Sequence, residues 1–79
     1  MSLVLETLDQ LLCSDMPLSV IRGLYPDDGT FAVAIHALLR NGDIRLFSDG
    51  SEVPEWRWRE LFKAGGFLQE MPRLRLEIT

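Results

Sequence analysis

Two spacings of apolar residues run along this chain, one in each half. Over residues 3–12, Leu5, Leu8, Leu11 and Leu12 recur at helical spacing, with Glu6, Asp9 and Gln10 opposite, which predicts an amphipathic helix. Pro17 suits the first turn of a second, short helix over about residues 18–24 that buries Leu18 and Ile21, with Leu24 as a further candidate. Tyr25-Pro26-Asp27-Asp28-Gly29 reads as a turn, after which Asp28 or Thr30 can cap a third helix over residues 30–40. In that helix Phe31, Ile35, Leu38 and Leu39 share a core-facing side, and Asn41-Gly42 closes it where a left-handed residue is expected.

Past Gly42 the spacing changes. Residues 43–48 alternate, with Ile44 and Leu46 on one face and Arg45 and Phe47 on the other, which predicts a strand followed by a turn at Asp49-Gly50-Ser51. Pro54-Glu55 reads as a helix start and Gly65-Gly66 as its stop, so a fourth helix is expected over residues 55–64 with Trp58, Leu61 and Phe62 on one face. Trp56-Arg57-Trp58-Arg59 also alternates strictly, which keeps a strand as the rival there. At the C-terminal end Leu74, Leu76 and Ile78 face inward and Arg73, Arg75, Glu77 and Thr79 outward, as in a half-buried antiparallel strand. The chain therefore reads as one α+β domain over residues 1–79: three short helices, then a small antiparallel sheet with a fourth helix between its strands.

The order of helix, short helix, turn, helix and Gly-led strand resembles the winged helix-turn-helix family over residues 4–48. Met16-Pro17-Leu18-Ser19-Val20-Ile21 is similar to that family's second helix, and residues 37–46 (ALLRNGDIRL) to its passage from third helix to first wing strand. Beyond residue 48 the chain departs: a family wing returns to its second strand within a few residues. Here either Trp56–Arg59 is that return strand or the wing has been replaced. The resemblance implies DNA binding, with the third helix in the major groove. On that reading Thr30, His36, Arg40 and Arg45 would contact DNA, with Arg57 and Arg59 in the wing region.

Charge counts against that implication. The 79 residues carry twelve acids and eight bases, a net −4. Residues 1–39 hold five acids and one base, a sum of −4, and residues 40–79 hold seven of each. Duplex affinity comes largely from cations that displace phosphate counterions, and the half resembling a DNA-binding domain is short of them. Its third helix also has Val33 and Ala37 at the centre of the outer face, a poor reader of base edges but a good docking surface. Arg57, Arg59, Lys63, Arg73 and Arg75 could gather near Trp56 or Trp58 as a single-strand stacking platform, although Glu55, Glu60, Glu70 and Glu77 interleave them.

Catalytic chemistry finds no foothold. His36, the one histidine, has apolar neighbours, and Ser14, Ser19, Ser48 and Ser51 lie in no activating motif. Asp27-Asp28-Gly29 and Asp49-Gly50 begin like calcium loops but lack the alternating oxygen ligands and closing Glu. No metal, cofactor or small-molecule substrate is expected. Cys13, the only cysteine, lies among Leu11, Leu12 and Met16 and is expected as a buried small hydrophobe in a reducing, cytoplasmic compartment. No apolar run approaches a membrane span or a secretory signal.

The aromatic residues carry the remaining expectation. Trp56 and Trp58 share a face on a strand but lie about 160–200° apart on a helix, so the helix would leave one partly exposed. An exposed Trp flanked by Arg57 and Arg59 has the composition of an interface anchor, and Phe47 lies opposite Ile44 and Leu46. The leading functional expectation is thus a non-enzymatic protein-interaction module, binding a partner or a second copy through Phe47, Trp56, Val33 and Ala37. The alternative is a DNA-binding regulator or accessory factor.

Overall fold

The computed structural model describes residues 3–79 as an α+β fold. Helices α1 (Leu3–Cys13), α2 (Leu18–Arg22), α3 (Asp28–Asn41), α4 (Glu55–Phe62) and α5 (Phe67–Glu70) accompany strands β1 (Met16–Pro17), β2 (Ile44–Ser48), β3 (Ser51–Glu52) and β4 (Leu74–Ile78). The sheet is antiparallel throughout, in the order β1-β4-β2-β3. The C-terminal strand is therefore central: Leu76 faces Met16 on one side and Leu46 on the other.

Local chemistry explains most boundaries. Asp27, in extended conformation, accepts the Thr30 backbone N–H and caps α3, a role expected of Asp28 or Thr30. Gly42 at φ 79° ends α3, and its N–H and that of Asp43 return to the Leu39 and Leu38 carbonyls. Asp49 and Gly50, both at positive φ, make the two-residue turn that pairs Ser48 with Ser51.

Of the two continuations past residue 48, the chain takes the helical one: Trp56–Arg59 lies within α4, and the long partner of β2 is β4. Several boundaries differ from expectation, among them the start of α3 at Asp28 and the short strand Ser51–Glu52. Met16–Pro17 is a short edge strand, so Pro17 precedes α2 instead of opening it, and α2 stops at Arg22. The fourth helix stops at Phe62, and α5 and a 3-10 turn over Met71–Arg73 occupy a stretch for which no element was expected.

One cluster of buried side chains holds these elements together, with Leu18, Ile21, Phe31, Ile35, Leu61 and Leu76 fully enclosed. Three ring contacts organise it: Tyr25 meets Phe31 edge-on at 5.5 Å, Phe31 meets Phe67 at 5.4 Å and Phe62 stacks on Phe67 at 5.6 Å. Thr7 is fully buried, donating to the Leu3 carbonyl at 2.8 Å and sharing a 2.7 Å hydrogen bond with the Tyr25 hydroxyl. The polar pair ties α1 to the turn before α3, so Tyr25 is a core residue rather than a surface turn residue. Because α1 turns Thr7 and Leu11 inward, Leu5 and Leu12 point to solvent at 63% and 67% exposure. Cys13 is exposed too, which corrects the buried placement expected for all three. Among the described residues no helix is long and apolar enough to cross a membrane.

Candidate functional site

The residues expected to carry function divide between two surfaces. On the first, α3 and α4 pack together and leave an open cleft. Outward along α3 runs an exposed stripe, Thr30, Val33, Ala37 and Arg40, at spacings of three, four and three. His36, half-buried beside it, faces α4 across the seam. From α4 and the residue that ends it, Glu55, Arg59 and Lys63 follow at four-residue spacing on the facing side.

The conformation of α4 decides which Trp is presented. The Trp58 indole N–H donates to the Val53 carbonyl at 3.2 Å, and the Val53 N–H donates in turn to Leu46 at 2.8 Å. Trp58 is thereby held against the core as the clamp between sheet and helix. Two positions earlier on the same helix, Trp56 must point away, and it stands 75% exposed at the mouth of the cleft.

Two depressions make up the cleft. One, about 370 Å³, is walled by Trp56, Trp58, Glu55 and Arg59; the other, about 230 Å³, by Ala32, Val33, Ala37 and Phe62. His36, Arg40 and Lys63 line both, forming the ridge between them. Among the described residues no carboxylate lies within ion-pair distance of Arg40, Arg59 or Lys63. The His36 imidazole registers the imbalance: burial first, then the charges of Arg40, Lys63 and Arg59, holds its pKa below the ordinary histidine value.

The other candidates lie elsewhere. Arg57 is engaged by Glu70 through hydrogen bonds of 2.9 and 3.1 Å, pinning α5 to α4, so it is not a free contact for DNA. Arg45 is on the outer face of the sheet, held by both oxygens of Glu52 at 3.1 Å, and its guanidinium lies 5.8 Å from the centre of the Phe47 ring. Phe47 is half-buried there, with Arg75 as its cross-strand neighbour. The grouping of Arg57, Arg73 and Arg75 with the tryptophans does not form; only Arg59 and Lys63 join them. Val33, Ala37, His36, Arg40, Trp56 and Arg59 are brought together, whereas Phe47, Arg45 and Arg57 are not.

Sequence reasoning missed Lys63 as part of the α3 surface. Its spacing of four from Arg59 was visible, but nothing local shows that α4 lies beside α3. No group of three or more His, Cys, Asp or Glu residues able to hold a metal ion occurs among the described residues. No known family, curated protein or solved structure matches the chain.

Proposed function

We propose that the protein is a non-enzymatic protein-docking module whose docking face is the α3–α4 cleft. One observation carries this reading. An indole 75% exposed stands beside three cations without acidic partners, with Val33, 73% exposed, and Ala37 on the same face. Leaving Trp56 in water forgoes the burial energy that a small domain needs, and interface anchors are enriched in Trp and Arg. The apolar depression beside Val33 and Phe62, the two indoles in the otherwise polar wall of the other depression and the cationic ridge suit a partner surface that is both acidic and apolar. The exposed thiol of Cys13, the chain's one cysteine, supports a reducing, cytoplasmic setting.

The test is capture by wild type and by Trp56→Ala. Loss of capture with unchanged thermal unfolding is the expected result; capture unaffected by the substitution would remove Trp56, and with it this reading.

A second reading, duplex or single-strand binding, is favoured by the same three cations beside an exposed ring. The helix order over residues 4–48 and the antiparallel return of β4 onto β2 support the winged-helix resemblance behind it. Arg40, Arg59 and Lys63 would supply three phosphate contacts, for which log affinity should fall against log salt with a slope of about −2.7. Absence of binding at low salt disposes of this alternative.

A further inference from the structure

The acidic and apolar surface that the cleft suits exists on this same chain. Helix α1 carries Glu6 and Asp9 and no base, and the first base in the chain is Arg22. Leu5 and Leu12, exposed at 63% and 67%, stand seven residues apart on its outer side, with Asp9 between them. Seven residues of helix place the two leucines about 10 Å apart. The pattern on α1 is leucine, carboxylate, leucine; the pattern in the cleft is hollow, cationic ridge, hollow.

We propose that the cleft seats helix α1 of a second copy of this chain, with Leu5 and Leu12 entering the two depressions and Asp9 meeting the ridge of Arg40 and Lys63. This rests on the docking reading above and names the partner for it. The contact joins unlike surfaces, because α1 packs chiefly on β4 and the cleft is formed by α3 and α4. It unites the molecule's most acidic helix with the three unpaired bases of the cleft; the other two among the described residues, Arg73 and Arg75, lie apart from it. It also covers Leu5, Leu12, Val33 and Trp56 together, four of the six large apolar side chains left exposed among the described residues. An association of this kind is strengthened by low salt, since the Debye length shrinks from about 10 Å at 0.1 M to about 3 Å at 1 M.

The experiment is sedimentation of the full chain and two variants, alone and mixed. Leu12→Asp spoils the helix surface, and Arg59→Glu with Lys63→Glu spoils the cleft; all three positions are exposed, so thermal unfolding should be unchanged. The wild type should self-associate with concentration, and about tenfold more weakly in high salt. Each variant alone should sediment as a monomer, and an equimolar mixture should recover a complex, because one supplies an intact cleft and the other an intact α1. Wild type that stays monomeric, variants that still self-associate, or a mixture that fails to recover would each overturn the proposal. If the wild type is monomeric yet captures another protein through Trp56, self-pairing fails while docking at the cleft stands. Loss of both brings down the docking reading as well.

Discussion

The outer face of the sheet and the α3–α4 cleft are built from the same kinds of residue and are in opposite electrostatic states. On the sheet, Arg45 lies beside Phe47 and is matched by Glu52, so its pKa is raised, first by that hydrogen bond and then by the charges of Glu52 and Glu77. In the cleft, Arg59 and Lys63 lie beside Trp56, and His36 is held below its ordinary value first by burial and then by the positive charges of Arg40, Lys63 and Arg59. Arginine next to an aromatic ring is therefore not in itself a binding feature. The supply of carboxylates decides: strand register puts Glu77 opposite Arg45 and Glu52 opposite Phe47, whereas α4 offers the cleft Glu55 alone, outside ion-pair distance. Arg45 is satisfied within the sheet, whereas Arg40, Arg59 and Lys63 in the cleft have no carboxylate within ion-pair distance.

The largest effect should come from undercutting the cleft. Leu61 is fully buried on the inner side of α4, and Leu61→Ala should cost about 2–5 kcal/mol. Against a total of roughly 4–12 kcal/mol for a chain of this length, that is visible as a large fall in the urea midpoint. A loss within 0.5 kcal/mol would show α4 to be loosely held and the cleft to be poorly defined.

Next in size is a contrast between the two aromatics. Half-buried Phe47 contributes to folding, so Phe47→Ala should cost about 1–2 kcal/mol, whereas Trp56→Ala should stay within about 0.5 kcal/mol. Denaturant melts of both variants check this, and equal costs would erase the distinction between the two faces.

The smallest effect is a titration. A lowered histidine pKa means that the unfolded chain takes up the proton first. The stability linked to neutral His36 is thus present above pH 6.5, the unperturbed value, and is lost as pH falls through the folded-state value. Lys63→Gln removes one of the charges that lower it, so the NMR midpoint of His36 should move upward toward 6.5. An unmoved midpoint would show that Lys63 does not share the ridge with His36.

Much of the fold was legible in the residues because its signals are local. The fourth helix, the Gly42 stop of α3 and the alternating strands follow from capping, φ requirements and the period of apolar positions, and each was read close to where it lies, although α4 ends at Phe62, short of the expected Gly65-Gly66. Helix α1 shows the limit. Four leucines at helical spacing define a stripe, but Thr7 and Leu11 are the residues fully buried, because Thr7 finds a polar partner in Tyr25 that lies 18 residues away. A buried hydroxyl is tolerable only with such a partner, and no spacing rule foretells one. The error over Leu5, Leu12 and Cys13 followed from that.

The candidate site divides in the same way. By itself the sequence determined that α3 has a core face and an outer face of Val33, Ala37 and Arg40, and that a helical α4 would separate Trp56 from Trp58. It also determined the charge of each half, yet the sum of −4 over residues 1–39 said nothing about which bases would stand beside α3. Only the tertiary structure decided that Arg59 and Lys63 join Arg40 in the cleft, while Glu52 and Glu70 occupy Arg45 and Arg57. The physical reason is one of range. Helix and strand patterns are set by neighbours within a few residues, whereas the balance of charge at a surface depends on which distant segments packing brings together.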